Sequence, residues 1–220
     1  MAAAPPVNLY TRVTASAEGI GKQFMGREIA AVMGWQGSAW LERSNRAREE
    51  STARVLRGLE LKPGMVVADI GAGTGFYTRL MAPEVMPGGI VYAVEIQAPL
   101  LQQLRALAAS PEFSVVRVVK GAEALLPLPA NSLDMALMVD VYHELEYPFE
   151  MVASIVNALK PGGQLVLVEF KAEDDQVPIK ALHKMSVRQI RREMALHPLQ
   201  LERSVRGLPW QHQLVFRKTQ

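Results

Sequence analysis

The chain contains no cysteine, which removes disulfides, thiolate metal sites and cysteine nucleophiles from the chemistry open to it. It also lacks any apolar run of about 18 residues, so no segment is expected to span a membrane. Charge of one sign is scarce as well: the formal net charge is only +2, weak grounds for a nucleic-acid partner. The C-terminal residues 171–220 do hold ten Lys/Arg against five Asp/Glu, an excess that a solvated helix face accounts for. The opening Met1-Ala2-Ala3-Ala4-Pro5-Pro6 has neither a basic n-region nor an apolar h-region and does not read as a signal peptide, although a leader already removed stays open. No repeat or low-complexity segment occurs.

What is present is apolar material, 49% of 220 residues, enough for one domain with a good core and a short N-terminal addition. We expect an arm or lid over residues 1–44 and a single α/β domain over 45–220. Residues 1–22 read as a loosely held arm, Gly26–Met33 as a short helix, and Ser44–Leu59 as one charged helix. Beyond Lys62-Pro63-Gly64, strand and helix patterns alternate: strands at Val66–Ile70, Ile90–Glu95, about Ser114–Val119, Met135–Val139 and Gln164–Phe170, with helices opening near Phe76 and Pro99 and over Phe149–Leu159 and Ser186–Leu196. That alternation predicts a doubly wound, Rossmann-like, mostly parallel sheet with helices on both faces. Leu199–Val205 and Gln213–Phe216 are joined through Gly207-Leu208-Pro209, too short for a parallel crossover, so they form an antiparallel hairpin.

The most informative run is Val66-Val67-Ala68-Asp69-Ile70-Gly71-Ala72-Gly73-Thr74-Gly75. A buried strand ends in a turn with three alternate glycines, and a helix follows whose first N–H groups face whatever lies over the loop. A dinucleotide fingerprint wants a third glycine at position 76 beside a pyrophosphate. Phe76 stands there instead, which disfavours NAD. The second strand ends in Glu95, 20 residues after Gly75, placed to accept both hydroxyls of a ribose.

These features resemble the class I S-adenosylmethionine-dependent methyltransferases. The resemblance rests on Asp69-Ile70-Gly71-Ala72-Gly73-Thr74-Gly75, on Glu95, and on Leu159-Lys160-Pro161-Gly162-Gly163-Gln164-Leu165-Val166-Leu167, and it covers roughly residues 45–218. More narrowly, stretches such as Val141-Tyr142-His143-Glu144, His183-Lys184-Met185 and Leu208-Pro209-Trp210-Gln211-His212 are similar to an uncharacterised bacterial methyltransferase group. The resemblance implies a seven-stranded sheet with an antiparallel last strand and S-adenosylmethionine as cofactor, but no particular substrate. A small-molecule acceptor is expected because the chain has no basic stripe interleaved with aromatics and no Asn-Pro-Pro-Tyr-like tetrad after strand four, and a cytoplasmic setting because S-adenosylmethionine is made there.

Residues following the first four strands should line one crevice. Cofactor contacts are expected from Asp69, Gly71, Ala72, Gly73, Thr74, Gly75, Glu95, Ile96, Ala122, Glu123 and Asp140. Asp69 either meets the loop and the cofactor's amino group or is a structural carboxylate. Many relatives carry an acid after strand three where this chain has Ala122, which leaves the adenine to backbone or Glu123. The methyl should lie near Asp140-Val141-Tyr142-His143-Glu144. There His143 has the ordinary pKa of a general base, and Tyr142 could wall the pocket or bond the acceptor.

Acceptor contacts are expected from Arg27, Trp40, Glu144, His183 and His212, with Arg43 an alternative to Arg27. Were His143, His183 and His212 to converge with Glu144, they would suit zinc, iron or copper. Spacing gives no reason to expect it, so no metal is expected. His197 reads as a surface cap to a helix end. The competing function is a protein that binds S-adenosylmethionine, or depends on a metal, without methyl transfer; a nicotinamide oxidoreductase is disfavoured.

Overall fold

A computed structural model describes residues 9–219. Two sheets organise it. A small antiparallel meander comes first: β1 (Tyr10–Arg12), β2 (Gly19–Phe24) and β3 (Arg27–Ala30). A strap follows through a 3-10 turn, Trp35–Glu42, and leads to α1 (Arg46–Glu50) and α2 (Thr52–Leu59). The main domain then runs β4 (Val66–Ile70), α3 (Phe76–Glu84), β5 (Ile90–Glu95), α4 (Ala98–Ala108), β6 (Val116–Lys120), β7 (Leu133–Val139), α5 (Pro148–Ala158), β8 (Leu159–Lys171), β9 (Lys184–Met185), α6 (Val187–Met194), β10 (Leu199–Val205) and β11 (Gln211–Lys218).

The strand order is β10-β11-β8-β7-β4-β5-β6, with two-residue β9 attached to β8. Strands β4 to β8 pair in parallel, and β11 enters antiparallel to both β8 and β10. The expected doubly wound sheet and the antiparallel last strand are both present. Alternate residues of one strand feed opposite faces, as the pleat requires. Leu165 and Leu167 of β8 join the α5–α6 side of the core, and Val166 and Val168 join the α2–α3–α4 side.

Three expectations fail in the N-terminal third. The short helix over Gly26–Met33 is replaced by β3, because Met25 and Gly26 take left-handed backbone (φ +49° and +87°) and turn β2 back on itself. The loose arm over residues 1–22 is ordered from Tyr10 onward; residues 1–8 lie outside the described part. The meander has its own apolar cluster, Phe24 and Ile29 against Phe149. The single helix over Ser44–Leu59 is two, broken where Ser51 goes left-handed (φ +54°). Later, Lys160-Pro161-Gly162-Gly163 forms a bulge: Leu159 pairs with Leu133 and Gln164 with Met135.

Candidate functional site

The carboxyl ends of β4, β5, β6 and β7 open into one cavity of about 700 Å³, roofed by the strap. The glycine loop forms its floor. Gly71, Gly73 and Gly75 all have positive φ. A Cβ added at Gly71 would come within 2.5 Å of Val141, so a side chain there is excluded by space as well as by backbone. Gly71 and Ala72 donate their N–H groups to Val94 O, and Gly73 donates to Glu95 Oε2 at 2.9 Å. Glu95 Oε1 accepts from Ile96 and Gln97 N–H. The Glu95 carboxylate is thereby fixed on the cavity wall by three backbone donors, with one acceptor site of its four left over.

Asp140 follows β7 in left-handed backbone (φ +55°) and lines the same cavity. Its Oδ2 accepts from Gln211 Nε2 at 2.7 Å, while its buried Oδ1 has no partner. Burial and the charges of Glu50 and Glu169 hold its pKa well above the usual carboxylate range, with Arg46 opposing. Ile96, Ala122 and Glu123 also reach the cavity. Asp69 does not: it is buried and accepts from Thr78 Oγ1 at 2.6 Å, tying the strand end to α3. Burial lifts its pKa to about 6 against that hydrogen bond. Gly75 donates its N–H to Ala72 O and precedes α3, and Thr74 donates its hydroxyl to Glu42 of the strap.

At the other end lies a compact polar cluster. His143 Nε2 is 3.1 Å from His183 Nδ1 and 3.7 Å from Glu144 Oε1, and His183 Nδ1 is 3.2 Å from that same oxygen. Behind it, His143 Nδ1 bonds Glu169 Oε2 at 2.5 Å, and Glu169 Oε1 accepts from Tyr142 N–H. Burial alone would lower the His143 pKa, but the charge of Glu169 and hydrogen bonds to Glu144 and Glu169 outweigh it and lift it to about 10. This favours the charged imidazolium over the neutral ring expected of a general base. Burial would raise Glu144, yet its bonds to the two histidines bring it down to about 2.

The strap closes over both ends. Met33 N–H donates to Glu144 Oε1, Trp35 N–H donates to Gln97 Oε1, and Gln97 Nε2 donates back to Met33 O. Arg79 and Thr74 hold Glu42 at the far end. Trp40 lines the mouth, its ring under the Arg43 guanidinium, which also pairs with Glu49 and Glu50.

Several expected residues lie elsewhere. Tyr142 is 1% exposed, packed in the α5–α6 core rather than walling the cavity, because its position on the 3-10 turn points it beneath the loop. Arg27 is paired with buried Glu193 and bonds His143 O, so its charge is spent inside the protein. His212 bonds Glu173 at 2.8 Å, away from the other two histidines. His197 is no surface cap: it packs on Phe149 at 4.8 Å between ring centroids, and burial lowers its pKa to about 4. Part of the basic C-terminal excess is tied down, as in Lys171 with the Leu208 and Pro209 carbonyls and Arg217 with Glu202, while Arg188, Arg191 and Arg192 stand on the exposed face of α6, as expected.

Sequence reasoning missed Glu169 and the cavity-lining pair Arg46–Glu50. Glu169 had a signal: it is the one charge in the apolar run Leu165–Phe170, and a lone acid inside a buried strand needs partners.

Residues 68–167 match the family model described as methyltransferase domain. The chain is 32% identical over 119 residues to a ubiquinone/menaquinone biosynthesis C-methyltransferase UbiE of Stutzerimonas stutzeri (strain A1501), a stretch covering 54% of this chain and 46% of that protein. It is also 32% identical over 109 residues to a demethylmenaquinone methyltransferase of Symbiobacterium thermophilum, covering 49% and 43%. The chain thus spans less than half the length of these relatives. In structure it is similar to an S-adenosylmethionine-dependent methyltransferase from Aquifex aeolicus, with TM-score 0.79 and 23% identity over 86% of this chain and all of that one. Residues 68–167, which carry the floor of the cavity, thus match a methyltransferase domain, and the fold around them is that of the Aquifex aeolicus S-adenosylmethionine-dependent methyltransferase.

Proposed function

We propose that this chain transfers a methyl group from S-adenosylmethionine to a small, largely apolar acceptor, with quinol-type aromatic rings the first class to try. The residues fit the cofactor. Glu95 offers a held carboxylate for the ribose hydroxyls, and the unpartnered Asp140 Oδ1 offers an acceptor for the amino group of the methionine end. Gly71 and Gly73 line the cavity with backbone alone, no side chain standing between them and a ligand. Bound S-adenosylmethionine supplies an electrophilic methyl on a sulfonium, so the protein's main task is to place the acceptor in line and keep water away.

One observation carries the acceptor class. Val32, Trp35, Trp40, Ile96 and Leu125 are five of the six large apolar side chains left exposed among the described residues, and all five line this cavity. Such a concentration marks a binding site rather than ordinary surface. The cavity volume lies within the range of roughly 300–1,000 Å³ usual for small-molecule sites. The His143–His183–Glu144 cluster gives this apolar chamber a polar end that an acceptor hydroxyl would meet. The names of the UbiE relatives agree with a quinol ring.

The test is release of S-adenosylhomocysteine from S-adenosylmethionine with a panel of demethylated quinols, simple phenols and polar amines, followed by mass spectrometry. Turnover confined to the apolar aromatic members is expected. Tight cofactor binding without turnover on any acceptor would leave a binding protein, and turnover on the amines alone would overturn the acceptor class.

A further inference from the structure

We propose that His143, His183 and Glu144 bind one divalent transition-metal ion of the first row, with Zn²⁺ the best match to the donors. This inference is independent of the methyl-transfer reading, since it rests on the cluster alone. The three donor atoms are the ones already described: His143 Nε2, His183 Nδ1 and Glu144 Oε1, separated by 3.1, 3.2 and 3.7 Å. A triangle with those sides has a circumscribed radius of about 1.9 Å. An ion at the usual distance of about 2.0–2.2 Å from imidazole nitrogen and carboxylate oxygen would therefore sit within ~1 Å of the plane through all three. The sides also bracket the ~3.4 Å that separates neighbouring ligands around a tetrahedral ion of that size.

The donor set narrows the metal. Two imidazoles and one carboxylate suit zinc or ferrous iron, whereas magnesium and calcium prefer oxygen throughout. Three protein ligands leave a further position open, as at catalytic rather than structural zinc. Here the open side is the cavity, which all three residues line.

A second layer of contacts supports the donors. Glu169, fully buried, accepts the Nδ1–H of His143 in a hydrogen bond and so leaves Nε2 as the ring atom directed at the cluster. A carboxylate behind a ligating histidine is the usual outer partner at such centres. Glu169 is itself held by Tyr142 N–H, and Glu144 by Met33 N–H, so two of the three donors are fixed before any ion arrives. Ligation displaces the Nε2 proton of His143, with Glu144 and Glu169 the carboxylates that face the ring, while the Arg27 guanidinium is withdrawn by Glu193. His212 takes no part, being bonded to Glu173.

The experiment is calorimetric titration of the full chain, without an affinity tag and stripped with EDTA, against ZnCl₂ and MgCl₂ in the absence of cofactor. One Zn²⁺ per chain with a dissociation constant in the micromolar range or tighter is expected, and no heat from Mg²⁺. Co²⁺ in place of Zn²⁺ should give a visible absorption band. His183→Ala and Glu144→Gln, each checked for native circular dichroism, should weaken Zn²⁺ by at least ~100-fold; Glu169→Gln should weaken it ~10–100-fold. His212→Ala should change nothing. No Zn²⁺ binding by the unaltered chain, or equal binding by folded His183→Ala, would overturn the site. Neither result would touch the methyl-transfer reading, which is tested by S-adenosylhomocysteine release.

Discussion

The two ends of the cavity are built on different plans. At the glycine-loop end a carboxylate, Glu95, is held by three backbone N–H groups from its own strand end and from the neighbouring turn. At the histidine end, side chains hold side chains across long stretches of sequence: His143 to Glu169 over 26 residues and to His183 over 40. The first plan needs only a strand, a turn and a register. The second needs particular residues on two loops and a strand to arrive together, and each becomes a buried liability when its partner is lost.

That contrast predicts unequal damage. Glu169→Ala would strand the His143 ring and Tyr142 N–H in the interior, and we expect a loss of about 3–5 kcal/mol in urea unfolding. A loss under ~1 kcal/mol would mean that the histidine end is looser than its geometry. Glu95→Ala should instead spare most of the stability and weaken S-adenosylmethionine by about 2 kcal/mol, the worth of charged hydrogen bonds removed. Unchanged affinity in calorimetry would take Glu95 out of the ribose contact and collapse the distinction between the ends.

A third expectation sharpens the comparison through pH. His197 stays neutral in the fold down to about 4, whereas the unfolded chain protonates it near 6.5. Between those values the unfolded state binds the extra proton, so stability falls as pH falls. His197→Phe should flatten that part of the unfolding-versus-pH curve; an unaltered slope would assign the acid sensitivity to other groups. The smallest effect belongs to the strap's exposed pair. Glu42→Ala removes the contacts to Arg79 and Thr74 on half-open surface, and thermal unfolding should register no more than ~1 kcal/mol.

The same contrast decides what could be seen in the sequence. β4, β5 and the hairpin β10–β11 were legible because hydrophobic period and turn chemistry are local, and so was the glycine loop with Glu95. The meander β1–β3 was not. Its apolar residues sit at Phe24, Ile29 and Ala30, too few to display a period of two, and the turn depends on Met25, a residue that seldom adopts positive φ. Sequence named His143, His183 and Glu144 as separate candidates but could not bring them together, because a 3-10 turn before β9 carries His183 back to the cavity. Nor could it exclude Arg27 and His212, whose partners Glu193 and Glu173 lie in segments that spacing alone does not relate to them.

The roof of the cavity also bears on how such a chain is made. Its meander is fastened to residues translated well after it: Tyr10 to Glu150 across 140 positions, Arg27 to Glu193 across 166. The meander can pair its own strands early, but its fastening to the rest of the domain must wait until α6 has emerged. During synthesis the glycine loop and its strands can assemble while the chamber above them still lies open, so the site acquires its floor well before its ceiling.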